Sequence, residues 1–462
     1  MNRIKSIICL VVLACLMLPT TAGAYDLMLD GIYYDLKDGQ AIVTNNGQSN
    51  CYSGDIVIPE SVTSGDKTYP VTAIGKNAFM LCVSLANVTL PSTVTSIGDN
   101  AFAKCSVLSS IELPDALKQI GRYAFTMCDN ITQVTIPDSV TSIGQQAFYA
   151  CTALETLAIG KSVTTIGENA FDMNFQMRTL IWNAKRCLSA GTLTTTGIDS
   201  VAIGDEVEVI PERFLTSSRI THVALPSSVT SIGAEAFFDC TRLASIVIPN
   251  SVTSIGDYCF YRCTSLASVV LGNSLKTIGV AAFENCSSLS RIVIPNSVTR
   301  IEDYAFEDCG RLASAVIGRG ITSIGYLIFY GCSQLTSVTC SAAVPPSVDD
   351  SGLFDNMGYY AHATLHVLPE SFQAYQSANP WKQFSQILGD AIGDIPGDVN
   401  GDGEVTVADA NNVVVIIING GSGGHTRLPA NDSEASTADT NGDGEVNIAD
   451  INMILDHILN HR

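Results

Sequence analysis

Residues 243–265 read LASIVIPNSVTSIGDYCFYRCTS. Leu243, Ile246 and Ile248 are apolar, and Ile246 and Ile248 alternate about Val247, the period-two, β-branched signature of a short strand. Pro249 closes that strand, because proline has no N–H to continue a ladder. Val252 and Ile255 turn inward again, Gly256 permits a tight turn, and DYCFYRC is expected to make a helical turn that plants Phe260 and Cys263 in the core. No single 23-residue coil can bury all of these side chains. Stacked copies can, with strands about 4.8 Å apart in a parallel sheet.

The copies are present. SVTSIG occurs at 139–144, 228–233 and 251–256, with TVTSIG at 93–98 and SVTTIG at 162–167. Phenylalanines fall at 79, 102, 125, 148 and 171, then at 214, 237, 260, 283, 306 and 329, each run in steps of 23. Cysteines follow three residues after most of them, at 82, 105, 128, 151, 240, 263, 286, 309 and 332. Such a period marks a solenoid with one continuous core, here a rod or arc about 60 Å long. Between Phe171 and Phe214 the pattern slips. LIWNAKRCLSAGTLTTTGIDS (180–200) lacks the G-x-x-A-F turn, so a shallow coil with a polar loop on its outer edge is expected there, bent or locally less stable.

The chain has 462 residues, 46% hydrophobic and 15% charged, with a formal net charge of -21. That balance argues for folded domains rather than disorder and against nucleic acid or anionic membranes as partners. Arg3 and Lys5, an apolar run from Ile7 to Leu18 and AGA at 22–24 read as a signal peptide over 1–24. An uncleaved anchor is one alternative. A lipobox-like VLAC ending at Cys15 is another, ranked lower because apolar residues continue past it. No second run of about 20 apolar residues follows, so the mature chain is expected to be exported, secreted or on the cell surface, without a transmembrane span. Residues 25–51 read as a hairpin-like N-terminal cap, 52–340 as the solenoid, 341–388 as a C-terminal cap with a last strand and a helix carrying Tyr375, Trp381 and Phe384, and 389–397 as a linker.

The pattern L-x-x-I-x-I-P-x-S-V-x-x-I-G-x-x-A-F-x-x-C resembles the BspA-like class of bacterial leucine-rich repeats. The resemblance implies a leucine-rich-repeat-like α/β solenoid with a parallel β-sheet on one face, and an adhesin-like role toward host or bacterial surface proteins. Where a leucine-rich repeat carries an asparagine or cysteine ladder, this chain has Ser139, Ser162, Ser228, Ser251, Ser274 and Ser297, whose hydroxyls are placed to bond neighbouring turn backbone. The nine periodic cysteines read as buried thiols acting as small hydrophobes. Cys51, Cys187, Cys259 and Cys340 lie off that ladder. The middle residue of each I-x-I strand faces away from the core, and Val247, Val270, Val293 and Val316 make four consecutive valines, an exposed stripe about 14 Å long. It reads either as plain β-propensity or as a protein-binding patch.

Residues 398–462 form a separate module. DVNGDGEVTVAD (398–409) and DTNGDGEVNIAD (439–450) each carry oxygen side chains at loop positions 1, 3, 5, 9 and 12 and glycine at position 6, the spacing of a calcium loop. The first offers Asp398, Asn400, Asp402, Thr406, Asp409 and the carbonyl of Glu404. The second offers Asp439, Asn441, Asp443, Asn447, Asp450 and the carbonyl of Glu445. Two calcium ions are expected, since an all-oxygen set suits a hard cation. Val405 and Val446, at position 8, are placed to pack the loops together. Each loop precedes one apolar helix, and this duplicated loop–helix form resembles a type I dockerin, a small all-α, EF-hand-like calcium-binding fold. The resemblance implies calcium-dependent docking to a cohesin-like domain, read at loop positions 10 and 11: Val407 and Ala408, then Ile448 and Ala449. Asp stands at position 12 where Glu is usual, and 419–438 is longer than a compact dockerin needs.

No catalytic set emerges. His362 and His366 have i,i+4 spacing, but Ala363 replaces the glutamate of a zinc-protease motif and ATLHVLP reads as strand. There is no phosphate-cradling loop and no serine–histidine–aspartate set that the repeats would gather. The reading is a non-enzymatic exported binding protein. The alternative, from the dockerin-like module, is a cohesin-bound component of an extracellular polysaccharide-degrading complex.

Overall fold

Each repeat folds as one flat coil stacked on the next, in the computed structural model that describes residues 25–47, 52–191, 193, 197–348, 353 and 362–390, with the backbone of 426–427 and 445–446. The result is a β-solenoid of about thirteen turns. Two ladders of short parallel strands run along it. The I-x-I segments form the first, in register at the 23-residue period: Gln133–Thr135 pairs with Thr156–Ile159, which pairs with Thr179–Trp182. The second is built from the S-I dipeptides of the SVTSIG motif, such as Ser96–Ile97, Gln119–Ile120, Ser142–Ile143 and Thr165–Ile166.

The third side of the coil differs from expectation. The A-F segment is not helical; it is a turn with two left-handed residues. They recur in every regular coil, as Asn100 (φ 56°) and Lys104 (φ 64°), Tyr123 (56°) and Met127 (58°), or Tyr258 (54°) and Arg262 (58°). A non-glycine residue there is strained, and no valine, isoleucine or threonine stands at any of these positions. What offsets the strain is the next coil. Asn100 N–H donates to Arg122 O (2.8 Å), Lys104 N–H to Thr126 O (2.8 Å) and Tyr123 N–H to Gln145 O (2.9 Å). A helical turn would point these groups along its own axis, leaving the coils unjoined on this side. Glycine is needed at the preceding corner: a Cβ on Gly144 would stand 2.5 Å from the carbonyl carbon of Gly121 and the nitrogen of Arg122.

The core is a phenylalanine column. Phe79, Phe102, Phe125, Phe148 and Phe171 are fully buried, with successive ring centroids 4.8, 5.0, 4.9 and 5.5 Å apart and planes within 10°. Each buried ring contributes about 1.5–3 kcal/mol. Beside it runs a polar ladder. The Cys105 thiol donates to Phe79 O at 3.1 Å, Cys128 to Phe102 O at 3.1 Å, Cys151 to Phe125 O at 3.1 Å, and Cys263, Cys286, Cys309 and Cys332 repeat the contact at 3.2 Å. In the coil of Phe171 an asparagine takes over, Asn174 Nδ2 donating to Phe148 O at 3.1 Å. The cysteine–asparagine ladder is therefore present, at the C position rather than replaced by serine. The serines make a second ladder of their own, Ser139 to Leu117 O (2.6 Å), Ser228 to Val207 O (2.6 Å), Ser251 to Val229 O (2.5 Å) and Ser297 to Leu275 O (2.7 Å).

The slipped coil breaks one ladder and keeps the other. Thr179–Trp182 still pairs with Ser200–Ile203, whereas the second ladder ends at Thr165–Ile166 and restarts at Val209–Ile210, with an isolated bridge between Ser189 and Glu212 and single backbone bonds such as Lys185 N–H to Lys161 O (3.2 Å) and Glu208 N–H to Lys185 O (2.9 Å) between them. The coil is lined by the smaller Ala184, Cys187, Ala190 and Leu193. Trp182 fills the column, edge-on to Phe214 at 5.0 Å, and Phe214 meets Phe237 edge-on at 6.4 Å. Face stacking resumes at Phe237–Phe260, 5.2 Å and 5°. Residues 192 and 194–196, four residues of the stretch where the polar loop is expected, lie outside the described residues; Leu188 in the same coil is 71% exposed. Glu206 clamps the coil from outside through Lys161 (2.7 Å) and Lys185, whose hydrogen bonds hold its carboxyl down to about 2.

At the N-terminal end Leu27–Leu29, Ile32–Lys37 and Gln40–Thr44 form an antiparallel meander that joins the second ladder at Lys67–Ile74. At the other end Thr364–Val367 adds a strand, a short helix spans Phe372–Ser377, a 3-10 turn spans Trp381–Gln383 and Gln386–Leu388 adds one more strand. Tyr375 OH donates to Ala342 O (3.0 Å) and Trp381 Nε1 to Pro346 O (3.0 Å), so both large rings are buried with their polar atoms satisfied.

Candidate binding face and metal loops

The first ladder presents its middle residues outward, but not as one uniform stripe. Val247 pairs with Val270 in a two-stranded sheet, and Val293 pairs with Val316 in a separate five-stranded sheet that continues to Thr339 and His366. Val247 is 38% exposed, Val270 and Val293 are half-buried, and Val316 is only 6% exposed. The expectation of four exposed valines fails at Val316. In-register side chains on adjacent parallel strands stand about 4.8 Å apart and cover one another, and Val316 has a neighbour on each side. The candidate face is Val247, Val270 and Val293.

All twelve described cysteines are buried and unpaired by disulfides, and burial pushes the thiols of Cys105 and Cys151 up to about 12. The thiolate needed for nucleophilic or metal chemistry is therefore disfavoured at these two, whereas the hydrogen bond from Cys263 pulls the Cys240 thiol below its ordinary value. Cys51 lies outside the described residues. His366 sits on its strand, as read, with Nδ1 2.9 Å from Asp390 Oδ1, and His362 is exposed in the turn before it. Among the described residues no group of three or more histidine, cysteine, aspartate or glutamate side chains could hold a metal, and no helix is long and apolar enough to cross a membrane.

A feature that strand-by-strand reading misses lies on the turn side. The residue after each core phenylalanine runs Phe238, Tyr261, Glu284, Glu307, Tyr330. The 23-residue spacing alone reveals it.

The ligand positions of both metal loops, from Asp398 to Asp409 and from Asp439 to Asp450, lie outside the described residues except Glu445, as do Val405, Val407, Ala408, Ile448 and Ala449. The leader 1–24 does too. One backbone feature is described. Glu445–Val446 pairs antiparallel with Thr426–Arg427, so the inter-helix stretch that looked surplus supplies the second loop's partner strand. The donor set of each loop, all oxygen and rich in carboxylate, fits calcium.

The model of the BspA type leucine rich repeat region matches residues 72–186 and 193–344, in six copies. The chain belongs to this family. The break between the two matched spans falls on the coil that loses its second ladder. A dockerin type I domain model matches 396–459, and such domains bind calcium and cohesin partners. Solved bacterial leucine-rich repeat proteins are similar to this one. A leucine-rich repeat protein from Bacteroides ovatus is 27% identical over 68% of this chain and 94% of that one, TM-score 0.42. A leucine rich cell surface protein from Faecalibacterium prausnitzii is 25% identical over 70% and 96%, TM-score 0.37. No curated protein matches the chain. Leucine-rich repeats mediate protein binding, and both matched regions of this BspA-type protein are non-catalytic binding modules.

Proposed function

We propose that this BspA-type protein is an exported, non-enzymatic, adhesin-like binder, with protein recognition on the solenoid and calcium-dependent attachment through the dockerin module. The observation that carries the reading is the pairing of a leucine-rich-repeat solenoid with a dockerin type I match on one chain. The strand face offers Val247, Val270 and Val293 to a host or bacterial surface protein. Two calcium ions are assigned to the module, one to Asp398, Asn400, Asp402, Glu404, Thr406 and Asp409, the other to Asp439, Asn441, Asp443, Glu445, Asn447 and Asp450. The cations offset three clustered carboxylates in each loop, so metal binding there is folding free energy. Val407, Ala408, Ile448 and Ala449 are the cohesin-reading positions. A second reading rests on the dockerin match alone: a cohesin-held component of an extracellular polysaccharide-degrading complex.

The two are separated by offering the exported protein to matrix proteins, to polysaccharides and to cohesins. Adhesion predicts capture by a protein surface that Val270→Lys with Val293→Lys abolishes while the melting temperature holds. Unchanged binding by that double variant disposes of the strand face.

A further inference from the structure

The turn side of the coils between residues 235 and 331 carries an unusual density of surface rings. Phe238 and Tyr261 stack at 4.8 Å, Tyr258 meets Tyr261 edge-on at 5.9 Å, and Tyr304 meets Tyr326 edge-on at 5.4 Å. Earlier coils place Met80, Ala103, Thr126 and Tyr149 in the column that here reads Phe238, Tyr261, Glu284, Glu307, Tyr330. Inter-coil bonds hold that column in register: Asp239 N–H to Tyr261 O (2.7 Å), Arg262 N–H to Glu284 O (2.8 Å), Asn285 N–H to Glu307 O (2.7 Å) and Asp308 N–H to Tyr330 O (2.7 Å). Two carboxylates are therefore set between aromatic rings, one coil apart. Both are part-buried. Glu284 accepts only a long 3.3 Å bond from Asn285, and Glu307 has no hydrogen-bond donor or cation partner among the described residues.

We propose that this aromatic and acidic edge is a docking surface for lysine or arginine side chains of a protein partner. Rings flanking carboxylates attract a cation by two routes, the ring quadrupole and direct charge. A neutral apolar partner would leave Glu284 and Glu307 buried and unpaired, which costs free energy. The edge goes beyond the valine face, and it rests on the reading of the solenoid as a protein binder only for the class of its partner. The surroundings also set a pH dependence. Burial and the charges of Glu284 and Asp308 push the Glu307 carboxyl up to about 7, and Tyr261, Tyr304 and Cys332 are its other titratable neighbours. Binding should strengthen as pH rises from about 5.5 to 8.

The test uses the full chain and fluorescein-labelled octalysine and octaarginine, read by anisotropy. Wild type is expected to bind at least about tenfold tighter than Glu284→Gln with Glu307→Gln, and several-fold tighter than Tyr261→Leu with Tyr304→Leu. Glu112→Gln, an exposed acid on an early coil, should change nothing, and the pH dependence should disappear in Glu307→Gln. Equal loss in Glu112→Gln and the paired glutamine variant would reduce the effect to bulk attraction by a chain of charge -21 and overturn the proposal. So would no peptide binding alongside binding of a neutral oligosaccharide such as cellohexaose. Val270→Lys with Val293→Lys should leave peptide binding intact, so failure of the strand face and failure of this edge are read separately.

Discussion

The thiol of Cys128 shows how one side chain serves two purposes. It fills the space beside the phenylalanine column and donates to Phe102 O at 3.1 Å. Cys128→Ala deletes both the volume and the bond and should cost about 1–2 kcal/mol, while Cys128→Ser, which keeps a donor, should retain part of that. Denaturant melts of the two variants decide it, and equal losses would mean that the bond contributes nothing. Glu307 gives a residue-scale pH signature. Its folded carboxyl titrates at about 7, above the ordinary value of 4.5, so the folded state holds the proton more tightly than the unfolded chain. This contribution is fully present below about pH 4.5 and lost as pH rises through about 7. Stability should therefore decline between those limits, and Glu307→Gln should flatten that part of the profile.

At the scale of the coil, the 23-residue spacing made the strands, the phenylalanine column and the serine bonds legible, because each depends on residue type at a fixed step. Two things were hidden. The A-F turn reads as helical by composition, since Asn100, Lys104, Tyr123 and Met127 do not announce a left-handed backbone; only bonds to the neighbouring coil make that conformation worthwhile. Val316 looks identical to Val247 in sequence, yet strand pairing on both sides buries one and leaves the other 38% exposed. The slipped coil was visible as a gap from Phe171 to Phe214, but not that it would keep one ladder and lose the other. With an isolated bridge between Ser189 and Glu212 in place of a paired strand on the broken side, amides at 187–190 should exchange faster than those at 142–144. Equal protection in a hydrogen-exchange map would show that the remaining ladder carries the coil unaided.

At the scale of the whole molecule, the solenoid and the dockerin-like module should respond to different conditions. With EDTA, residues 398–462 should lose helix and become protease-sensitive while 25–388 stay resistant, and Asp398→Ala with Asp439→Ala should mimic the chelator. A module that keeps its helical signal without calcium would remove metal from the account of its stability. The solenoid's own cohesion has a direction. Its recurrent inter-coil hydrogen bonds, from Cys128 to Phe102, from Ser139 to Leu117 and from Tyr123 to Gln145, each join a coil to its immediate neighbour; the Lys161–Glu206 bond over the slipped coil is the exception among those described. A pull on the last strand, Gln386–Leu388, therefore loads one seam at a time rather than all of them together. Each coil that peels away releases a tether of about 75 Å, from 23 residues at about 3.3 Å each, where it had occupied about 4.8 Å. Held at one end under flow, such a chain would pay out slack in equal steps, a brake rather than a rigid strut.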